Sequence, residues 1–168
     1  MLDIKGRNHI LESRPNVIFS SFARSGASAV DAILGPLLTS IGYYVTPFGI
    51  EGSSTICEEV AGVHEPFYHW THAAPNMFEP LLERSEYRFL YQYRDPRDSV
   101  ISWAYSEITE GNIKGTVEVD DVLKHIIMSR FHLADHIARA REWLSLGEKV
   151  CCLSFEEMIA DKIKIIRK

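Results

Sequence analysis

The sequence predicts an α/β domain whose central, mostly parallel sheet is flanked by helices. Short runs rich in Val, Ile, Phe and Tyr alternate along the chain with segments whose apolar residues recur every three or four positions. This alternation is typical of parallel sheets, in which helical crossovers cover both faces. The chain has 168 residues, enough for one core, and we expect residues 1–168 to form a single domain.

The predicted strands are short apolar runs bounded by turn residues. In chain order they are residues 16–21, 42–47, 66–72, 87–94 and 149–155. In a parallel sheet, ligands bind beyond the carboxyl ends of the strands. We therefore expect the functional residues just after these runs.

Three segments between the strands predict helices. The first spans the apolar positions from 30 to 41, where Gly35-Pro36 should kink the helix and Gly42 should end it. The second begins at Asp95-Pro96, because aspartate is a good N-cap and proline suits the first helical position. The third is a long helix predicted by apolar residues at helical spacing from 119 to 138.

Composition excludes several classes of protein. The formal net charge of −5 argues against general nucleic-acid binding, and no apolar run approaches the length of a membrane span. Residues 1–16 lack the apolar centre of a secretory signal. Cys151 and Cys152 are adjacent in a predicted strand, so their thiols point to opposite faces. We therefore expect a soluble cytoplasmic protein with reduced thiols, no nucleic-acid partner and no membrane span.

The sequence FARSGASAV, residues 22–30, predicts an anion site. Free backbone N–H groups and the positive end of a helix dipole meet where a strand turns into a helix. Gly26 lets the backbone approach a ligand closely. Ser25 and Ser28 offer hydroxyl groups, and Arg24 offers a fixed positive charge. An ordinary tight turn explains the same short pattern equally well.

A second candidate anion site follows the strand 87–94. Arg94 ends this strand, a helix starts at once, and Ser102 lies about two turns into that helix. A guanidinium group binds two phosphate oxygens at once, and a serine on the facing side of the helix can assist it. The alternative is that Arg94 pairs with Asp95 or Asp98, with Ser102 a small packing residue.

The two segments together resemble the cofactor signatures of the sulfotransferase family. FARSGASAV resembles the 5′-phosphosulfate loop PKSGTTW, with Arg24 in the place of the lysine. YQYRDPRDSVISWAY resembles the 3′-phosphate motif RNPxDxxVS, and KVCCLSFEEMIAD resembles the late strand with its YEDL segment. The residues that the resemblance assigns to cofactor binding are Arg24, Ser25, Gly26, Ala27, Ser28, Ala29, Arg94, Ser102 and Phe155.

The resemblance implies a P-loop-like three-layer fold and a transferase. Its reaction would move a sulfuryl group from 3′-phosphoadenosine 5′-phosphosulfate (PAPS) to a hydroxyl or amine of a small-molecule acceptor, with no metal. YHWTHAAPNM resembles the KTHLP segment of the family and places His72 as the general base. Histidine suits this role because it titrates near neutral pH. Arg24 would stabilise charge on the oxygen of the leaving phosphate.

Other histidine arrangements leave alternatives open. His72 can instead be a core or surface residue at a strand end. His64, His69 and His72 are close enough in sequence for a metal site, although no familiar zinc signature is complete. His132 and His136, one helical turn apart, are expected on a solvated helix face.

Four departures from the family pattern bear on activity. Ala29 replaces a tryptophan that stacks on adenine, Phe155 replaces a tyrosine, and Trp70 replaces a lysine. The sequence also stops at Lys168, before the family's RKGxxG-type segment, so we expect weak binding and low turnover unless a second subunit of a homodimer completes the site. The alternatives are an inactive module that binds PAPS or its product PAP (3′-phosphoadenosine 5′-phosphate), and a small-molecule phosphotransferase, although no Walker lysine is present.

The acceptor is expected to be a small molecule with aromatic or apolar character. Six aromatic side chains suggest an apolar acceptor pocket, and core packing explains them as well. They are Tyr43, Tyr44, Phe48, Phe67, Tyr68 and Trp70.

Overall fold

A parallel sheet forms the centre of the computed structural model, which describes residues 14–46, 49, 65–113, 118–130 and 133–160. The strands are ordered β2-β3-β1-β4-β5, and every neighbouring pair is parallel, which confirms the predicted fold class. Their bounds lie within one or two residues of those predicted, except that β2 is much shorter. They are β1 (Asn16–Ser21), β2 (Tyr44–Val45), β3 (Phe67–Thr71), β4 (Tyr87–Tyr93) and β5 (Val150–Ser154).

Helices connect and cover these strands. The α-helices are α1 (Ala27–Ser40), α2 (Pro96–Thr109), α3 (Val119–His125), α4 (Leu133–Ser145) and α5 (Phe155–Ala160). Short 3₁₀ helices span Pro75–Leu81 and Gly147–Lys149, and a π-helix spans Ile126–Arg130.

The helices differ from the prediction in two places. Helix α1 runs without interruption through Gly35-Pro36 to Ser40, and Gly42 then follows it with a φ of 93°. The helix predicted over 119–138 is not α-helical throughout, because α3 passes into a π-helix at Ile126 and α4 begins at Leu133. A π-helical turn is wider than an α-turn, so it changes which side chains face the core. The apolar spacing in the sequence is the same with or without it, so the sequence does not reveal this turn.

Alternation along β1 divides the core between the two faces of the sheet. Ile18 packs in a cluster with Phe89 and Trp143, whereas Phe19 packs in another cluster with Val30 and Tyr68. Tyr43 and Phe67 are also buried in these clusters, so core packing accounts for three of the six aromatic residues noted in the sequence. Tyr44 is exposed, Trp70 is half-buried, and Phe48 lies outside the described residues.

The arrangement brings the carboxyl ends of β1, β3, β4 and β5 to one edge of the sheet. Four segments of chain leave the sheet there: the loop 22–26, His72, the turn at Arg94 and Asp95, and the start of α5. This edge is where parallel sheets bind ligands. None of the helices that the structure describes has the length and hydropathy needed to cross a membrane.

Candidate functional site

The loop that follows β1 is held in an unusual backbone conformation. Arg24 and Gly26 have φ angles of 60° and 81°, both in the left-handed region. Phe22 donates its N–H to the carbonyl of Gln92 on β4 (2.7 Å), and Ser25 donates back to Phe22 (3.2 Å). The loop is therefore a tight, specified turn and not an irregular connection.

The beginning of α1 is left without side-chain compensation. Gly26 is its N-cap, no side chain caps the helix, and its first turn contains no acidic residue. The side chain of Ser25 is fully buried, yet its Oγ has no hydrogen-bond partner among the described residues. Buried hydroxyls are normally paired, so an anion that accepts a bond from Ser25 Oγ fits this corner.

Phe155 packs tightly against the glycine of this loop. A Cβ built on Gly26 would lie 2.5 Å from Phe155 Cε2, closer than carbon atoms approach each other. The other neighbour of the ring is Arg94, whose guanidinium carbon lies 4.3 Å from the ring centroid, a cation–π contact. Phe155 thus joins the two predicted anion sites physically.

Arg94 is available for an acidic ligand more than for a neighbouring carboxylate. Its Nη1 donates to the carbonyl of Arg24 at 3.4 Å, and its Nε is buried with no partner in the part of the chain that the structure describes. Asp95 instead pairs with Arg97 (2.5 Å) and accepts the N–H of Arg97, as predicted for an N-cap. The bonds from Arg97 lower the pKa of Asp95 to about 2, with a smaller contribution from Arg94.

The junction between β5 and α5 supports the turn at Arg94 and Asp95. Glu156, at the start of α5, accepts the N–H of Asp95 (3.0 Å) and the hydroxyl of Ser154 (2.7 Å). Desolvation raises the pKa of Glu156, but these bonds and the charge of Arg94 lower it below its ordinary value overall. The β4–α2 and β5–α5 turns are therefore joined by a carboxylate that stays ionised.

The positions of the remaining predicted cofactor residues give weaker evidence for a ligand site. Ser28 and Ala29 are exposed in the first turn of α1, and Ala27 is buried beneath it. Ser102 is half-buried in the second turn of α2, and within the described residues no hydrogen bond joins it to Arg94. The side chain of Arg24 extends towards Glu110 at 3.9 Å, a partly exposed and weak ion pair.

His72 lies just beyond β3, beside the end of β1. Its Nδ1 is 2.9 Å from the carbonyl oxygen of Ser21 and 3.0 Å from the hydroxyl of the same residue. A carbonyl only accepts, so Nδ1 carries the hydrogen and Nε2 carries the lone pair of the neutral ring. Trp70 donates its indole N–H to Ser21 Oγ (3.1 Å), which fixes the position of that hydroxyl.

The other histidines have different surroundings. His69 is buried with its Nδ1 2.7 Å from the hydroxyl of Thr46. His136 packs edge-on against Phe22 with 5.5 Å between ring centroids, so the expectation of a solvated face was wrong for this residue. His64 and His132 lie outside the described residues. Among the residues described, no group of three His, Cys, Asp or Glu side chains could hold a metal ion.

A cavity of about 380 Å³ opens beside the segment that follows His72. Its wall is partly polar: Ala73, Ala74, Asn76, Met77, Asp135, Ala138, Arg139 and Glu142. A smaller interior void shares Ala73 and Arg139 with this cavity and also touches His72. The void itself measures only about 10 Å³, about the space of one water molecule.

Two residues of the site were not predicted from the sequence. Ser21 orients His72 as described above, and Gln92 donates its Nε2 to the carbonyl of Ser25 (2.7 Å) from a fully buried position. Gln92 had one detectable signal, since it is a polar residue inside an apolar strand. Only the register of β1 against β4 reveals that it lies under the loop.

Comparison with known proteins now identifies the class. The family model of the sulfotransferase domain matches residues 14–168. The chain therefore belongs to the sulfotransferase domain family. The sequence comparison with curated proteins finds no match.

Solved structures share the fold at low sequence identity. Mouse sulfotransferase SULT7A1 complexed with PAP superposes with a TM-score of 0.68 and 19% identity, over 96% of this chain and 60% of that one. A retinol dehydratase in a complex with retinol and PAP superposes with a TM-score of 0.61 and 15% identity, over 94% of this chain and 60% of that one. A sulfotransferase from Alicyclobacillus acidocaldarius superposes with a TM-score of 0.56 and 17% identity, over 92% of this chain and 78% of that one. The chain thus spans about 60% of the length of the first two.

Proposed function

We propose that this domain binds PAPS and transfers its sulfuryl group to a hydroxyl or amine of a small-molecule acceptor. The observation that carries the proposal is a pair of buried donors, Ser25 Oγ and Arg94 Nε, that lack partners among the described residues. They follow the adjacent strands β1 and β4, and Phe155 contacts both turns. An anionic ligand with two separate acidic groups would satisfy both donors.

Different residues are proposed to bind different parts of the nucleotide. The turn at 24–29, with Ser25 and Gly26, suits the 5′-phosphosulfate, because the start of α1 is positive and uncapped. Arg94 suits the 3′-phosphate, with Ser102 on the following helix as its proposed assistant. Phe155 lies between the two, where its ring offers a flat apolar surface.

PAPS supplies the activated sulfuryl group, and the chain supplies proton transfer and charge. His72 accepts the proton of the acceptor hydroxyl on Nε2, since Ser21 holds the hydrogen of the ring on Nδ1. The guanidinium of Arg24 and the N–H groups of the loop stabilise charge on the departing phosphate oxygen. Arg24 leaves its ion pair with Glu110 at little cost, because that pair is long and partly exposed.

The acceptor is proposed to bind in the cavity beside Ala73, which shares lining residues with the void at His72. Charged and amide side chains line half of this wall, with Arg139 shared between the cavity and the void at His72. These groups favour an acceptor that carries polar groups besides the reacting hydroxyl. The purely apolar or aromatic acceptor expected from the sequence has less support, since three of those six aromatic residues belong to the core.

Three further proposals concern the setting of the domain. We propose a cytoplasmic location, which is supported by the odd number of cysteines and by the adjacent positions of Cys151 and Cys152 on β5, where their side chains point to opposite faces. We propose a homodimer, which sedimentation with and without PAP would test. We also propose that residues 1–168 form a single transferase domain, which limited proteolysis would test.

Calorimetric titration with PAP and with ATP tests the nucleotide. We expect PAP to bind and ATP to bind at least tenfold more weakly, because ATP lacks the 3′-phosphate. Equal or tighter ATP binding would favour a phosphotransferase and contradict the proposal. Binding of PAP without transfer of radiolabelled sulfate from PAPS to any of a panel of phenols, amino alcohols and sugars would instead indicate the inactive module.

Transfer itself depends on His72. The change His72→Ala should lower kcat by about two to four orders of magnitude and leave the affinity for PAP within about threefold, since the base does not hold the nucleotide. The exposed His125 on α3 provides the control, and His125→Ala should change neither quantity. Near-normal turnover of His72→Ala would assign the base to another residue.

A further inference from the structure

Gln92 occupies a position on β4 where the strand faces the loop. Its neighbours Tyr91 and Tyr93 pack with the cluster that contains Trp143 on one face of the sheet. The side chain of Gln92 points to the other face, is fully buried, and lies 4.0 Å from the sulfur of Met158.

Both the backbone and the side chain of Gln92 hold the loop. The carbonyl of Gln92 accepts the N–H of Phe22, and its Nε2 donates to the carbonyl of Ser25 at 2.7 Å. The same Nε2 is 3.7 Å from the position that a Cβ on Gly26 would take. The amide therefore contacts the loop between its two left-handed residues, Arg24 and Gly26.

Keeping an amide at this position has a cost. The Oε1 of Gln92 is buried and has no partner among the described residues. An apolar side chain would pack beside Met158 without this penalty, but it would leave the carbonyl of Ser25 without its donor. The hydrogen bond to Ser25 thus offsets the free-energy cost of burying the unpaired Oε1.

We propose that Gln92 is a positioning residue for nucleotide binding, holding the loop in the conformation that receives the 5′-phosphosulfate. The inference rests on the proposed function, because it assigns Gln92 to the same site. Gln92 acts through Ser25 and Gly26 and does not act on the 3′-phosphate. Its loss should therefore weaken every nucleotide with a 5′-phosphate by the same factor.

Calorimetry with PAP and with 5′-AMP tests this, since these ligands differ only in the 3′-phosphate. Gln92→Leu should weaken both by about tenfold, the usual effect of one lost hydrogen bond, and leave their affinity ratio unchanged. Tyr91→Phe, a buried change on the same strand, is the control and should bind both as the wild type does.

The outcomes separate the possibilities. If Gln92→Leu binds PAP as tightly as the wild type, the inference is overturned. If the loss affects PAP but not 5′-AMP, Gln92 acts at Arg94 and the inference is equally overturned. Should Gln92→Leu fail to fold, the unbranched Gln92→Met replaces it and must give the same tenfold loss. Failure of the wild type to bind PAP would instead reject the proposed function.

Discussion

After β1 the chain turns into α1 through two left-handed residues, Arg24 and Gly26, and no side chain caps the helix. After the adjacent strand β4 it turns into α2 through Asp95, whose carboxylate caps the helix, with Asp98 in the first turn. Both corners lie at the same edge of the sheet, and both precede a helix of 14 residues. Only the first leaves the positive end of its helix uncompensated.

Under the proposed function, the two strand-to-helix corners bind an anion by different means. At the first corner the backbone itself would be the binding group, so its conformation must be exact and a glycine is required. At the second corner Asp95 and Asp98 have already neutralised the helix end. The positive group there has to be a side chain, and Arg94 at the end of β4 provides it.

The largest effect should come from Gly26→Ala. The new Cβ meets the ring of Phe155 at 2.5 Å, and the residue must keep a φ of 81°. Backbone strain and overpacking each cost on the order of 1–3 kcal/mol, so PAP affinity should fall roughly 1000-fold by calorimetry. Nucleotide binding should be weakened at both corners, because Phe155 also packs against Arg94.

Gly35 provides the matched control for that change. It lies within α1, and a Cβ built on it has no described neighbour within 4 Å. Gly35→Ala adds the same methyl group to α1 away from the loop and from Phe155, so it should leave PAP binding unchanged. If Gly26→Ala behaved in the same way, the left-handed turn would not be what distinguishes the first corner from the second.

An intermediate effect is expected from Arg94→Ala. The loss of a charge that pairs with a phosphate costs on the order of 2–4 kcal/mol, which is about 30- to 700-fold in affinity for PAP. The affinity for 5′-AMP, measured in the same titrations, should change less than threefold. Arg97→Ala removes an exposed arginine three residues away, one that already pairs with Asp95, and should spare both ligands.

Local chemistry explains what the sequence could predict at these corners. The strands β1, β3, β4 and β5, the Asp95 cap and the end of α1 at Gly42 all depend on neighbouring residues, and each was predicted and is confirmed. The short β2 and the π-helix depend on packing against distant elements. Apolar spacing alone cannot distinguish a continuous helix from one interrupted by a wider turn.

Long-range contacts explain what the sequence could not predict at the site. Gly26 was noted as a permissive turn residue, but the ring that requires it belongs to Phe155, near the other end of the chain. Nothing in the sequence around Gln92 indicates its hydrogen bond to Ser25. Nothing around Ser21 indicates its hydrogen bond to His72. Each of these pairs exists only because the strand order places β1 between β3 and β4.

The smallest effect concerns the cap at the second corner. Hydrogen bonds from Arg97 hold the folded-state pKa of Asp95 at about 2, below the ordinary value of 3.8. A lowered pKa means that the ionised Asp95 stabilises the folded state above pH 3.8, and that this contribution disappears as the pH falls towards 2. Asp95→Asn keeps an acceptor for the N–H of Arg97 but removes the charge. Its stability should therefore fall less steeply than that of the wild type across this window.

Thermal unfolding followed between pH 2 and pH 7 measures the effect, which should be a few degrees at most because the pair is exposed. Asp98→Asn removes the same charge from the same helical turn without disturbing the cap, and it should retain the acid-dependent loss attributed to Asp95. Asp95→Ala should lower the unfolding temperature at neutral pH as well, since Arg97 then loses the acceptor for its N–H. If Asp95→Ala unfolded as the wild type does, the start of α2 would be no better capped than that of α1, and the contrast between the two corners would rest on Gly26 and Arg94 alone.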